Sequence, residues 1–129
     1  MLSVNLLNKT DLVVEDDDRC WFLLREVIEN ANGKAIWSDS GLKAVTIIES
    51  KLKIDLVLMD IQLPVQNGLV TTQIIKKLQP DLPVIAQTAY SESEFLQKIL
   101  QAGCTDYVLK PYDFEVMSEI IKKALFMGA

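Results

Sequence analysis

The sequence predicts an α/β fold on a parallel sheet, and three observations carry that prediction. Five short apolar runs alternate with five longer segments of helical period. The runs are apolar at consecutive positions, not at every second one, as expected of strands covered on both faces. Glycine and proline fall at the junctions: Gly33, Gly41, Gly68 and Gly103, with Pro80, Pro83 and Pro111. Five βα units of this kind form a parallel sheet with helices packed against it.

The first strand is expected at Leu12 to Val14, followed by a helix whose Leu24, Val27, Ile28 and Ala31 recur at steps of three and four. Ala35 to Trp37 form the second strand. The segment from Leu42 to Lys51 carries β-branched Val45, Thr46, Ile47 and Ile48, which would also suit a strand; its place in the alternation makes it the second helix. Leu56 to Met59 form the third strand, and Val70, Ile74 and Leu78 the stripe of the third helix. Val84 to Ala86 lead to a fourth helix with Leu96, Ile99 and Leu100 facing the sheet. Tyr107 to Leu109 lead to a fifth with Met117, Ile120, Ile121 and Ala124. Ser91 and Asp113 are candidate N-caps, because a short side-chain oxygen can accept an otherwise unpaired backbone N–H.

The 129 residues are expected to form one domain, 1–129 with a core at about 10–126. Half of them are hydrophobic and 24% charged, ordinary usage for a globular chain. Thirteen basic against eighteen acidic residues give a net charge of −5, which repels phosphate backbones and anionic lipid surfaces; neither direct nucleic-acid binding nor membrane association is expected. Cys20 and Cys104 lie too far apart for a C-x-x-C motif, and a reducing, cytoplasmic setting is expected. No apolar run approaches ~18 residues, and a signal-peptide pattern is absent from the start. Histidine is absent altogether, which excludes Ser-His-Asp and Cys-His catalysis and His-ligated metals. Chemistry must rest on carboxylates, hydroxyls, lysine or a hard metal ion.

In parallel α/β sheets ligands bind beyond the carboxyl ends of the strands. There the first strand runs into Glu15-Asp16-Asp17-Asp18, the third into Asp60, the fourth into Thr88 and the fifth into Lys110-Pro111. Each has a plain structural reading alone: a helix start favoured by the dipole, a loop entry, a satisfied strand end, a solvated amine. Four such groups at one edge of one sheet point to a site.

These residues resemble the receiver domain of two-component response regulators, over essentially the whole chain from Asp11 to about Leu125. The resemblance is carried by Leu12-Val13-Val14-Glu15-Asp16-Asp17, by Leu56-Val57-Leu58-Met59-Asp60-Ile61-Gln62-Leu63-Pro64 with Gly68 four residues on, by Thr88-Ala89, and by Tyr107-Val108-Leu109-Lys110-Pro111. It implies a flavodoxin-like (βα)5 three-layer sandwich with strand order 2-1-3-4-5. In that order Glu15 and Asp16 face Asp60, and three carboxylates so close need a counter-charge to stay ionised. Magnesium fits, with manganese as a substitute: it binds a few carboxylates, keeps waters and leaves room for a phosphate oxygen. The expected donors are Asp16 and Asp60 directly, Glu15 through water, and the backbone carbonyl of Gln62.

The resemblance further implies that Asp60 takes a phosphoryl group from a sensor histidine kinase or a histidine phosphotransfer protein. Lys110, the Thr88 hydroxyl and the backbone N–H of Ala89 would neutralise charge on the transferred oxygens. Thr88 and Tyr107 would be the switch pair, and the Lys110-Pro111 peptide bond cis. The fourth helix, fifth strand and fifth helix would form the face read by an effector or used for a homodimer. Gln62 and Tyr90 stand where the family tunes the lifetime of the phosphoryl group. A domain of this kind modifies itself and is not expected to turn over a substrate.

Two positions depart from the family's commonest pattern: Asn67, where an acidic residue often precedes Gly68, and Gln87, where an apolar residue usually precedes the threonine. Gln87 needs a hydrogen-bond partner or an edge-facing orientation. Competing readings are a phosphatase of the haloacid dehalogenase type, a receiver that binds partners without being phosphorylated, and a nucleotide-binding flavodoxin-like module. The first typically has a second aspartate where Gln62 stands, the second conflicts with the intact acidic and basic set, and the third lacks a Gly-rich loop after the first strand. The chain ends one helix after Lys110-Pro111, so a stand-alone receiver or a piece of a larger protein is expected; the wording around Asp60 and Lys110 resembles receivers of hybrid sensor kinases.

Overall fold

The computed structural model describes residues 1–63 and 65–127; Pro64, part of the motif after Asp60, lies outside them. In chain order the elements are β1 (Thr10–Val14), α1 (Asp18–Asn30), β2 (Lys34–Ser38), α2 (Gly41–Glu49), β3 (Leu56–Asp60), α3 (Gly68–Leu78), β4 (Val84–Thr88), α4 (Ser93–Gln101), β5 (Asp106–Leu109) and α5 (Phe114–Phe126). All strand pairs are parallel, in the order β2-β1-β3-β4-β5. The expected α/β class and order are both present.

Both faces of the sheet are apolar, which explains the continuous runs. Leu12, Val14, Val57, Met59, Val84 and Ala86 face the cluster that includes Ala44, Ile75 and Ile99 of α2, α3 and α4. Val13, Leu56, Leu58, Ile85 and Val108 face the cluster with Leu24, Ile28, Met117 and Ile121 of α1 and α5. Coverage of both faces is complete for β3 and β4, while the edge strands β2 and β5 are half-open.

The third helix turns a different face inward from the one its apolar spacing predicts. Val70 and Leu78 are 43% and 44% exposed, and the buried positions are Gly68, Thr71, Thr72 and Ile75. Close packing of α2 on α3 is the reason: a Cβ on Gly41 would lie 2.2 Å from the Thr71 hydroxyl oxygen, so only small residues fit between the helices. Thr71 buries its hydroxyl by donating to the Asn67 carbonyl at 3.0 Å and accepting from Gln66 Nε2 at 2.9 Å. In α4, Ile99 is buried as expected but Leu100 faces outward.

Asp17, Ser40, Asn67 and Asp113 cap their helices by accepting backbone N–H groups. Ser91 does not. The residue before α4 is Glu92, so Ser91 stands one position too early to reach the first free amides, and α4 has no side-chain cap.

Residues ahead of β1 also join the core. Val4 and Leu6 are buried in the α1–α5 cluster, the Leu6 N–H donates to the Ala31 carbonyl at 2.7 Å, and the Ser3 N–H donates to Ser118 Oγ at 2.9 Å. The first residues thus form a strap along the groove between the first and last helices. On the same side of the sheet, Asp11 is fully buried with neither carboxylate oxygen hydrogen-bonded among the described residues. Burial, then the nearby charge of Asp55, pushes its carboxyl up to about 7.

Candidate functional site

Strand register brings the expected residues to one edge. Val14 pairs with Met59, so Glu15 and Asp60 follow side by side; Asp60 pairs with Gln87, and Thr88 with Leu109, just before Lys110. Carboxylate oxygens of Glu15, Asp16 and Asp60 lie within 4.8 Å of one another. Glu15 and Asp60 are buried and Asp16 is exposed, so the cluster meets solvent on the Asp16 side.

Backbone donors hold two of the three. Asp60 Oδ1 accepts from the Gln62 N–H at 2.9 Å, and Glu15 Oε1 accepts from the Asp17 N–H at 3.2 Å. Lys110 reaches in from the β5–α5 connection, its Nζ 3.4 Å from Glu15 Oε2 and 3.7 Å from Asp60 Oδ2. Burial and then the charge of Asp60 push the Glu15 carboxyl up to about 7, against the opposing pull of Lys110. Burial lowers the Lys110 ammonium, but Asp60 and Glu15 together outweigh it and leave its pKa raised. One lysine therefore leaves negative charge uncompensated among three carboxylates. An all-oxygen, partly open donor set of this kind suits a hard divalent cation.

Thr88 is fully buried at the end of β4, and its Oγ1 accepts from the Tyr90 N–H at 3.0 Å. The Lys110 N–H donates to the Thr88 carbonyl at 2.8 Å. Ala89 is exposed at the mouth, as is the side chain of Gln62. Tyr90 is 47% exposed and meets Phe95 edge-on at 5.4 Å. Tyr107 is half-buried against the α2–α4 side of the sheet. The Lys110-Pro111 bond is cis. Gln87 is fully buried, and its Oε1 accepts from the Tyr112 hydroxyl, which supplies the partner its position required.

Two contributors were invisible in the sequence pattern. Trp37 on β2 donates its indole N–H to the Glu15 carbonyl at 2.7 Å and stacks on Trp21 at 5.3 Å, bracing the start of the acidic loop. Tyr112 reaches Gln87 across 25 positions. Only their nearness to strand ends hinted at either.

A family model for the response regulator receiver domain matches residues 12–122. The chain belongs to that family. This receiver domain is 36% identical over 121 residues to the polar-differentiation response regulator DivK of Brucella ovis, covering 92% of this chain and 98% of DivK. It is 34% identical over 119 residues to the transcriptional regulatory protein ZraR of Salmonella typhimurium, covering 91% of this chain but only 26% of ZraR. Among solved structures, the receiver domain of the sensor histidine kinase PA1611 of Pseudomonas aeruginosa, which carries magnesium in its active-site cleft, superposes with a TM-score of 0.83 at 27% identity, over 91% of this chain and 97% of that one. The chain is a receiver domain of two-component signal transduction, and the phosphatase, nucleotide-binding and unphosphorylated readings are not favoured.

Proposed function

We propose that Asp60 is the phosphoacceptor of this receiver domain. The supporting observation is the meeting of Glu15, Asp16 and Asp60 within 4.8 Å, with Lys110 between Glu15 and Asp60. An Asp60 carboxylate oxygen attacks the phosphorus of a phosphohistidine on a sensor histidine kinase or phosphotransfer protein; the N–P bond breaks and the imidazole leaves with its electron pair, taking up a proton. Phosphoryl transfer of this kind asks the protein mainly for positioning and charge neutralisation. A magnesium ion bound by Asp16, Asp60, the Gln62 carbonyl and, through water, Glu15 would neutralise phosphoryl oxygens, and manganese could replace it. Lys110 supplies a further positive charge. Thr88 gives up its hydrogen bond from Tyr90 and donates its hydroxyl to a phosphoryl oxygen, and the Ala89 N–H donates to another.

Movement of Thr88 frees space for Tyr107 to turn inward, and the α4-β5-α5 face changes. Leu100, Leu109 and Val116 lie exposed on these three elements, which supports a protein partner there, an effector or a second receiver. No helix among the described residues is long and apolar enough to cross a membrane. A cytoplasmic setting is part of the proposal and rests on a histidine kinase or phosphotransfer protein being the donor.

Incubation with acetyl phosphate tests the assignment. The parent is expected to gain one phosphate by intact mass in the presence of magnesium and none with chelator, and Asp60→Asn is expected to gain none. Phosphate on Asp60→Asn would move the acceptor elsewhere. Gln62 and Tyr90 set the lifetime of the product, with Tyr90 screening the acyl phosphate from water. Tyr90→Glu is expected to lose its phosphate several-fold faster than the parent, followed by mass after donor removal; equal decay would take that role from Tyr90.

A further inference from the structure

Gln87 is an expensive residue for its position. Its strand otherwise buries Val84, Ile85 and Ala86, and a buried amide costs stability wherever a donor or acceptor stays unmatched. Here the Oε1 is matched by the Tyr112 hydroxyl, while Nε2 has no partner among the described residues. A polar group retained under such a penalty calls for a role.

Geometry supplies one. The β5–α5 connection carries Lys110, and it is tied to β4 twice: at Lys110, whose N–H donates to the Thr88 carbonyl at 2.8 Å, and at Tyr112, whose hydroxyl donates to Gln87. Pro111 between them has no N–H to contribute. The two anchor residues on β4 are adjacent, and Gln87 stands directly across the ladder from Asp60. Lys110 itself meets its carboxylates only at 3.4 and 3.7 Å on a flexible stem, so the path of the connection decides where its ammonium lies.

We propose that Gln87 and Tyr112 are a positioning pair for the acceptor site: their hydrogen bond fixes the β5–α5 connection against β4 and so holds the Lys110 ammonium beside Asp60. The pair touches neither donor nor phosphoryl group, and acts through Lys110. The proposal rests on Asp60 being the phosphoacceptor.

The test is the rate of phosphorylation by acetyl phosphate with magnesium, as a function of donor concentration, in Tyr112→Phe, Gln87→Leu, the double variant, and each single variant in a Lys110→Ala background. Each single variant is expected to lower the maximal rate constant about tenfold with an unchanged half-saturating donor concentration. The double variant is expected to be no slower than the singles and to keep or raise the unfolding midpoint, because both polar partners are removed together, whereas Tyr112→Phe alone strands the buried Gln87 amide and is expected to lower the midpoint. In the Lys110→Ala background neither change should slow the reaction further. Parent rates in Tyr112→Phe, or the same fold-loss with Lys110 absent, would overturn the pair. So would a double variant that keeps its midpoint and reacts at the parent rate, since the losses in the single variants would then follow lowered stability alone. A parent that takes no phosphate would overturn the acceptor assignment beneath it, a result that no behaviour of the variants can mimic.

Discussion

Asp11→Asn is expected to be more stable than the parent above neutral pH and to lose the part of the parent's pH dependence between about 4 and 7 that Asp11 contributes, the part from Glu15 remaining. The folded carboxyl titrates near 7 and the unfolded one near 3.8, so between these values the folded protein keeps a proton that the unfolded chain releases. Stability from this group is therefore fully present below 3.8 and is lost as pH rises through 7. The span corresponds to about 4 kcal/mol at its upper limit. Among the described residues no hydrogen-bond partner relieves the charge. Asp55, at the entry to β3, adds repulsion. The buried faces of α1 and α5 bring Trp21, Leu24, Val27, Ile28, Met117, Ser118 and Ile121, none ionisable in this range, and the strap brings Val4 and Leu6. The Lys9 ammonium lies over the Phe126 ring. Glu15 is present in both proteins, so the difference between their urea-unfolding curves at pH 4 to 8 isolates Asp11. Parallel curves would show that position 11 carries no such proton.

Gly68→Ala is expected to damage both folding and phosphorylation. The glycine opens α3 where the chain passes close to Asp60, the proposed acceptor, and a Cβ there would lie 2.4 Å from the Asp60 carbonyl oxygen and 2.7 Å from Ile61 Cα. Both obstacles are backbone, so no side chain can swing away, and overpacking of this kind typically costs about 1–3 kcal/mol. Relief requires moving Asp60 itself, and a displacement of about 1 Å at a reacting group can cost about a hundredfold in rate. Thermal unfolding and the initial rate of phosphorylation from acetyl phosphate measure the two effects. A variant matching the parent in both would mean that this approach is looser than it stands here.

Much of this was legible in the sequence for identifiable reasons. Continuous apolar runs reveal strands because both faces of the sheet are covered, and the ligand edge follows because parallel strands all end on one side. Glu15, Asp16, Asp60 and Lys110 could therefore be assigned to one edge, and the strand order implied by the family resemblance made Glu15 and Asp16 neighbours of Asp60. The buried face of α3 could not, since periodicity counts greasy residues and the α2–α3 contact selects small ones, Gly41 and Thr71. Asp11 escaped attention because nothing in its neighbours signals that a carboxyl will be buried without a partner. Gln87 announced its need for a hydrogen bond, but Tyr112 could be named only once the chain had folded back on itself. The cap of α4 failed by one position, which spacing rules do not resolve.

The strap has a mechanical consequence. Ser3 is bonded to Ser118, and Lys9 lies over Phe126, so the beginning and end of the polypeptide are stitched side by side on the flank of the sheet. Tension applied at the leading residues is borne by α5 before any β-segment feels it, and that helix is also one wall of the surface proposed above to meet other proteins.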